Sequence, residues 1–274
     1  SGSNVSHTTA TTPNLTFDNL NVGGAGTGAF THSDGSTLSL TDLSLGIDSG
    51  GSGTYTISNG TLNVSGDVVN GAGTGTLNID GGTVNAGTIG VDNLNIANSA
   101  GTNGSHTLGS GESISTGNET IGNSGTGTFT QTGGTNTVSN DLNIGNNSGS
   151  SGTYNLSAGT NTVSNSLVLG FSSGSNGTFN LSGTGNLDSS YVFVGREDTG
   201  IFTQTGGTHS VSNDLNIGIN SGSSGTYNLS GGTNSVSNNL NIGIQSGSSG
   251  TYNLSGGTNT VSNSLVLGFS SGSN

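Results

Sequence analysis

The chain has 274 residues, of which 14 are acidic and one is basic, so its formal net charge at neutral pH is −13. Without a basic patch it cannot neutralise phosphates, which excludes nucleic acid as a partner and disfavours anionic membrane surfaces. Hydrophobic residues make up only 26% of the chain and 54 residues are glycine, a composition that can fold only if its few apolar residues are regularly placed.

Cysteine and long apolar runs are both absent from the sequence. Without cysteine, neither disulfides nor thiolate metal sites can support the fold. No apolar run reaches the ~20 residues of a membrane-spanning helix, so we expect no membrane insertion by this segment. Lysine, methionine and tryptophan are missing too, which suits an extracellular protein exposed to proteases and oxidants.

A repeat of 22–29 residues runs along the chain. The segment from Gly152 to Phe171 returns almost letter for letter from Gly250 to Phe269. A period in this range, with side chains alternating between two faces, predicts a solenoid whose units stack around one continuous core. We mark each unit by one anchor residue, which follows Gly-Thr or its equivalent. The eleven anchors are His7, Phe30, Tyr55, Leu77, His106, Phe129, Tyr154, Phe179, Phe202, Tyr227 and Tyr252.

These units, which we call rungs, make residues 1–274 a single solenoid with three stretches. Residues 1–23 read as a degenerate first rung, which holds His7 and the only proline, Pro13. Residues 24–126 form irregular rungs and residues 127–274 form regular ones. Terminal rungs of a solenoid are commonly atypical because they cap an otherwise open core.

The rung around His106 is the most irregular of the middle stretch, since the longest anchor spacing precedes it. It carries Glu112 and Glu119, and the register turns His106 and Glu119 inward, where a carboxylate needs a partner. One interpretation is a local bulge that turns Glu119 out to solvent. The other is a buried His–Glu pair or a cation site.

Within a regular rung, alternation defines three short strands. Tyr154 and Leu156 share the inward face of the first strand, Val163 that of the second, and Leu167 that of the third. The sequence therefore predicts an all-β fold: a right-handed parallel β-helix (β-solenoid) of about eleven rungs with three short strands each. The expected core ladder is Phe129, Tyr154, Phe179, Phe202, Tyr227, Tyr252, Leu156, Leu229, Leu254, Val138, Val163, Val211, Val236, Val261, Leu142, Leu167, Leu215, Leu240 and Leu265.

One later rung has a shortened loop and contains the sequence Arg196-Glu197-Asp198 near Asp188. We interpret this group as a local ion pair that covers a bulge, with a recognition spot as the alternative. A few residues further on, His209 replaces the asparagine of a Thr-Asn-Thr segment, and we expect it to be exposed.

The titratable residues do not form a catalytic or metal-binding pattern. Asp141 and Asp214 share a ladder position but lie three rungs apart, or ~14 Å at the usual strand spacing, which is too far for a pair of catalytic carboxylates. The four histidines, His7, His32, His106 and His209, show no metal-ligand spacing. We therefore expect neither enzymatic activity nor a cofactor.

Threonine and serine recur two residues apart on the outward side of one strand. The pairs are Thr135/Thr137, Thr160/Thr162, Thr208/Ser210, Thr233/Ser235 and Thr258/Thr260. Flat outward threonine ladders on a β-solenoid can order water, as in ice-binding proteins, but threonine is also favoured on any exposed strand. An ice-binding or glycan-binding surface built from outward Thr and Asn ladders is the alternative function.

Two sequence units resemble the repeats of bacterial autotransporter-type passenger domains and related secreted β-helical adhesins. They are Gly-Thr-Tyr-Asn-Leu-Ser-Gly-Gly-Thr at residues 250–258 and Asp-Leu-Asn-Ile-Gly at residues 141–145 and 214–218. The likeness extends over nearly the whole chain, although such repeats are compositionally degenerate. It implies an extracellular, right-handed β-helix of bacterial origin, and it supplies no ligand.

The repeat and the resemblance together favour a non-enzymatic extracellular structural protein. It would form a filament or biofilm-matrix fibre, or the stalk of a cell-surface adhesin, by head-to-tail stacking of rungs. Its partner would be a second copy of itself or a host or neighbouring-cell surface, with glycans as further candidates. Both ends have the same phase of the repeat, and the candidate stacking ends are Ser1, Gly2, Ser3, Asn4, Ser271, Gly272, Ser273 and Asn274.

Overall fold

A computed structural model describes the backbone of residues 3–7 and 14–272, and the side chains of residues 14–272. Four of the candidate stacking residues (Ser1, Gly2, Ser273 and Asn274) lie outside the described residues, as does Pro13. Every regular element in the described residues is a β-strand.

The first half of the chain forms ten strands: β1 Ser3–His7, β2 Leu15–Val22, β3 Thr27–His32, β4 Thr37–Leu45, β5 Ser52–Ile57, β6 Thr61–Asn70, β7 Thr74–Ile79, β8 Thr83–Ile96, β9 Asn103–Leu108 and β10 Ser113–Ile121. The second half continues with β11 Thr126–Val138, β12 Leu142–Ile144, β13 Ser151–Leu169, β14 Asn176–Leu181, β15 Asn186–Val194, β16 Thr199–Gln204, β17 Thr208–Val211, β18 Leu215–Ile217, β19 Ser224–Leu229, β20 Thr233–Val236, β21 Leu240–Ile242, β22 Ser249–Leu254, β23 Thr258–Val261 and β24 Leu265–Leu267.

The strands pair in parallel from one rung to the next. In β13, for example, Tyr154 pairs with Phe179 of β14 and Leu167 pairs with Val192 of β15. The result is a β-solenoid of about ten turns, which confirms the predicted all-β parallel fold. Equivalent residues therefore lie above one another in columns, and most members of a column share one kind of side chain.

Three of the inward columns in the second half of the chain contain most of the expected core residues. We call them the aromatic column (Phe129, Tyr154, Phe179, Phe202, Tyr227 and Tyr252), the valine column (Val138, Val163, Ser189, Val211, Val236 and Val261) and the leucine column (Leu142, Leu167, Val192, Leu215, Leu240 and Leu265). Neighbouring rings of the aromatic column stack with centroids between 4.5 and 5.1 Å apart. This spacing equals the strand separation, so the backbone pairing itself sets the ring contacts.

Most of the expected core ladder lies inside these columns. Tyr252 and Val261 are only partly buried, and the leucines of the same rung, Leu254 and Leu265, are 56% and 58% exposed. Leu254 and Leu265 were expected in the core, and that expectation is wrong for the described structure. The reason is that β22 and β24 pair with described strands on one side only, with β19 and β21 respectively.

The columns shift by one strand between the two halves of the chain. Leu77 pairs with Leu94 of β8, Leu94 pairs with Glu119 of β10, and Glu119 pairs with Leu142. Below Leu77, the same column contains Tyr55 and Phe30. The column that begins with Phe30 and Tyr55 therefore continues towards the C-terminus as the leucine column. The aromatic column is a new column, which begins at β9.

This shift explains the long spacing before His106. Residues 93–96, at the end of β8, pair with β7 and so add one extra strand to the rung. The expectation that His106 follows Leu77 in one ladder is therefore wrong. The first anchor was also misplaced, because Val5 pairs with Phe30 while His7 pairs with His32.

A glycine at the second position of each aromatic strand allows the close approach of neighbouring rungs at the corner. A Cβ placed on Gly152 would lie 2.1 Å from the carbonyl oxygen of Ile121 in the rung below, and one on Gly225 would lie 2.0 Å from that of Val194. No side chain fits at such a distance, so the glycine of the Gly-Thr-Tyr unit is required by the close approach of two backbones.

Candidate functional site

Three tyrosines are hydrogen-bonded to polar side chains of the rung below. The Tyr154 hydroxyl donates to Oε1 of Gln131 at 2.6 Å, and the Tyr227 hydroxyl donates to Oε1 of Gln204 at 2.8 Å. The Tyr55 hydroxyl lies 3.0 Å from Nδ1 of His32. A buried polar group is costly unless it is paired. In the column position two residues after the aromatic one, a polar residue (His32, Gln131 or Gln204) is therefore followed by tyrosine in the next rung, whereas Leu156 and Leu181 are followed by phenylalanine.

The first tyrosine cluster contains a carboxyl group that is more deeply buried than any other in residues 14–272. Glu119 is 0% exposed, and its Oε2 accepts a hydrogen bond from Nδ2 of Asn136 at 2.8 Å. The same amide donates to the Tyr154 hydroxyl at 3.1 Å. Burial raises the pKa of Glu119 to about 7, opposed by the hydrogen bond from Asn136. The interpretation that a bulge turns Glu119 to solvent is wrong, since Glu119 occupies a leucine position in a regular column.

His106 is buried but is not the partner of Glu119. Its ring packs against Phe129, with centroids 5.6 Å apart. Burial lowers the pKa of His106 to about 4, and the charge of nearby Glu112 acts in the opposite direction. The structure therefore separates the two residues that were considered as a buried pair. The described residues contain no group of three or more potential metal-binding side chains.

The second cluster surrounds His209, which is 0% exposed. Its Nδ1 lies 3.0 Å from the Tyr227 hydroxyl and its Nε2 lies 3.2 Å from the Ser189 hydroxyl. Because Tyr227 donates its proton to Gln204, the hydrogen-bond network assigns a proton to Nδ1 of a neutral imidazole. Burial lowers the pKa of His209 to about 3, and a hydrogen bond to Asn234 acts against this shift.

The expectation that His209 is exposed is thus wrong. Thr208 and Ser210 point outward, so strand alternation places the residue between them in the core. The asparagines at the same position in other rungs, Asn136, Asn161 and Asn234, are buried as well.

The third cluster lies near the start of the described chain. His32, which is 1% exposed, places Nε2 3.1 Å from the Ser36 hydroxyl and 3.3 Å from Oδ1 of Asp34. Tyr55 contacts the other ring nitrogen, and burial together with the charge of Asp34 raises the pKa of Tyr55 far above its ordinary value. All three clusters connect strands of the core and are closed to solvent.

Carboxylates on the outside tie each rung to the next. Oδ1 of Asp141 accepts hydrogen bonds from the backbone N–H of Ser166 and the side chain of Asn165, at 3.2 and 2.8 Å. Oδ1 of Asp214 does the same with the backbone and side chain of Asn239, both at 3.0 Å. These two acids, considered above for catalysis, therefore have bonding partners that hold the corner of the solenoid.

Asparagine and threonine ladders cover much of the remaining surface. Asn155 accepts a hydrogen bond from Asn180 at 2.9 Å, and Asn228 accepts one from Asn253 at 2.8 Å. The two outward Thr/Ser columns run in register from Thr135 and Thr137 to the last rung, with an interruption at Asn186 and Asp188.

Arg196 makes no ion pair with the neighbouring acids. Its guanidinium lies 4.6 Å from the ring centroid of Phe171 and 5.9 Å from that of Phe193. Asp188 instead accepts a hydrogen bond from Asn186 at 2.8 Å, and Asp198 accepts one from the Gly174 N–H at 2.8 Å. The predicted ion pair over a bulge is therefore wrong, and the arginine covers aromatic rings.

Of the stacking ends, the structure describes Ser3 and Asn4 in β1 and the turn at Ser271 and Gly272. Ser3 and Asn4 pair with Gly28 and Ala29 of β3. The last rung exposes Leu254, Leu265, Leu267 and Phe269.

No helix in the described part of the chain has the length and apolar character needed to cross a membrane. In comparisons with known proteins, no family model, curated protein or solved structure matches the chain. The strand pairing alone therefore identifies the chain as a β-helical repeat protein.

Proposed function

We propose that this β-solenoid is a non-enzymatic structural protein of the cell exterior, in which rungs stack into a surface filament, a matrix fibre or the stalk of an adhesin. The proposal is carried by one observation: inside the solenoid, the rung at residues 152–171 is covered in register by the next rung, and the last described rung has nearly the same sequence. Residues 250–269 repeat residues 152–171 almost exactly in sequence.

In the middle of the chain this surface is covered. Tyr154 pairs with Phe179, and Leu167 pairs with Val192, and all four side chains are fully buried. In the last rung the equivalent leucine, Leu265, is 58% exposed and β24 has a free edge within the described structure. A free strand edge above an apolar surface favours addition of another strand. A further rung of the same kind, in the same chain or in a second copy, therefore fits this end.

The rest of the molecule supports a structural role. The outer asparagine ladders and corner aspartates bond to the next rung, so they serve the stack itself. The resemblance to secreted β-helical adhesins and the absence of lysine, methionine and tryptophan support an exterior location.

Electron microscopy of the purified chain over a range of concentrations tests the proposal. We expect rods that lengthen in multiples of one chain, and we expect Leu265→Lys to stop the lengthening, since it places a charge on the open apolar end. Thr260→Lys, which points outward from the same rung, should leave the lengthening intact. Rods of one fixed length at every concentration would contradict assembly between copies.

Ice binding is the second candidate function. The specific observation in its favour is the pair of outward Thr/Ser columns, held in register by the strands, with a break at Asn186 and Asp188. Thermal hysteresis of the purified chain tests it, and its absence would reject this candidate.

A further inference from the structure

One rung differs from its neighbours on the outer surface of its third strand, while the inward positions of that strand stay apolar. On β15, the inward residues Val192 and Val194 are apolar and fully buried, as in the other rungs. The outward residue Tyr191 pairs with Ser166 of the rung below. The next outward residue, Phe193, is followed by Asn216 in the rung above. The core therefore gives no reason for aromatic residues at these outward positions.

Tyr191 and Phe193 of this rung form a patch with Phe171 of the rung below and with Arg196, the only arginine of the chain. Arg196 lies over Phe171 and Phe193 at the distances given above, and the rings of Tyr191 and Phe193 have centroids 6.5 Å apart with planes 19° from parallel. Tyr191 is 37% exposed. We call these four residues the outer aromatic patch.

The polar groups of the patch have unused bonding capacity. A guanidinium has five N–H donors, and no described carboxylate lies within 4.0 Å of Arg196. The acid beside Tyr191 is Asp214, whose backbone carbonyl accepts a hydrogen bond from the N–H of Val192 at 3.0 Å. The hydrogen bonds of the Asp214 carboxylate are all made by Oδ1, and among the residues that the structure describes none donates to Oδ2.

We infer that the outer aromatic patch binds a neutral oligosaccharide. The apolar face of a pyranose ring can pack on the exposed ring of Tyr191, because aromatic faces favour such flat contacts. Sugar hydroxyls need both donors and acceptors, and the N–H groups of Arg196 and Oδ2 of Asp214 offer one of each. The inference does not depend on the structural role proposed above.

The surrounding charge favours a neutral sugar over an acidic one. Asp188, Glu197, Asp198 and Asp214 all lie in this rung or the next, and the whole chain has a net charge of −13. A polyanion would meet repulsion from these carboxylates within a screening length of about 8 Å at physiological salt. One guanidinium does not offset four carboxylates, so we assign the site to uncharged saccharides.

The single arginine gives a site-specific measurement. In a 15N-labelled sample of the full chain, the Arg196 side chain contributes the only arginine Nε–H signal. We would titrate cellohexaose, maltohexaose and chitohexaose, with an oligogalacturonate as the acidic comparison. We expect the signal to shift with at least one neutral hexasaccharide, with a dissociation constant on the order of 1 mM, and not with the oligogalacturonate.

Variants taken from the chain's own repeat provide the controls. Tyr191→Ser copies the residue of the rung below and should weaken binding about tenfold, as expected for the loss of one aromatic contact. Ile201→Thr is the matched control, because Ile201 is 38% exposed on a different strand and pairs with Thr178 and Thr226; it should bind as the unmodified chain does. No shift with any neutral sugar, a shift with the oligogalacturonate alone, or equal binding by Tyr191→Ser would overturn the inference.

Discussion

The side-chain amide of Asn136 donates a hydrogen bond to Oε2 of Glu119 at 2.8 Å, in a column whose neighbouring members are Leu94 and Leu142. A carboxyl group thus replaces a leucine at the centre of the core. Burial favours its protonated form, which is why the pKa of Glu119 rises to about 7. The stability of the solenoid should therefore depend on the protonation of this one residue.

Replacing Glu119 with glutamine should remove that dependence. Since the folded pKa of Glu119 is above its unfolded value of 4.5, its full stabilising contribution is present below pH 4.5 and is lost as the pH rises through 7. The Glu119→Gln variant should gain about 3 kcal/mol relative to the unmodified chain between these limits. Urea unfolding of both proteins at several pH values measures the difference, with Glu197→Gln, on the exposed surface, as the control. A difference that does not change with pH would contradict the assignment.

His209→Asn should make the chain more resistant to acid. The folded pKa of His209 is about 3, below the ordinary value of 6.5, so its stabilising contribution is present above pH 6.5 and is lost as the pH falls. At pH 4 this loss amounts to about 3 kcal/mol. Asparagine already occupies this column position at Asn136, where it bonds to the hydroxyl of Tyr154. The unfolding free energies of the two proteins should diverge between pH 7 and pH 4, and parallel pH profiles would count against a neutral buried histidine.

Gln204 and Tyr227 should behave as a coupled pair. Gln204→Leu alone leaves the buried hydroxyl of Tyr227 without its acceptor and should cost about 1–3 kcal/mol. Tyr227→Phe removes the same hydrogen bond and, in either background, also the acceptor of the His209 Nδ1–H, so it should cost less when residue 204 is already leucine than in the unmodified chain. A double-mutant cycle by chemical denaturation measures the coupling, and additive effects of the two changes would contradict the hydrogen bond.

Two glycine-to-alanine changes should differ strongly in their effect. Gly225→Ala places a methyl group 2.0 Å from the carbonyl oxygen of Val194 and should destabilise the solenoid by about 3 kcal/mol or more. Gly87→Ala meets no atom within 4 Å and should change stability by less than about 0.5 kcal/mol. Thermal melts of both variants give the comparison. Equal melting temperatures would show that the rungs do not approach each other as closely as described.

The sequence predicted the solenoid and most of the core columns because the repeat and the strand alternation are both local patterns. It also contained a signal for the buried tyrosine clusters: Gln131 and Gln204 each precede a tyrosine by one rung. His209 was misplaced because its polarity was given more weight than its position between two outward residues. Alternation decides the face of a strand, and hydrogen bonds then satisfy the polar group.

The one-strand shift between the two halves could not be derived from the repeat. Spacing alone shows that residues are added between Leu77 and His106, but a long loop and an extra strand have similar lengths. Only the pairing of Leu77 with Leu94 shows that the inserted residues join the sheet. The outer aromatic patch was likewise hidden, since Arg196 is closer in sequence to acids than to the rings that it covers.

Engineered cysteine pairs test the stacking of the rungs and the shift most directly. The natural chain has no cysteine, and the side chains of Asn78 and Asn95 are joined by a hydrogen bond of 2.9 Å across adjacent strands. Neighbouring parallel strands lie about 4.8 Å apart, within the range that a disulfide can bridge. The Asn78→Cys/Asn95→Cys variant should therefore cross-link on mild oxidation, whereas Asn78→Cys/Thr107→Cys should not. Cross-linking of the second pair and not the first would show that His106 follows Leu77 in a single unshifted ladder, and would contradict the account.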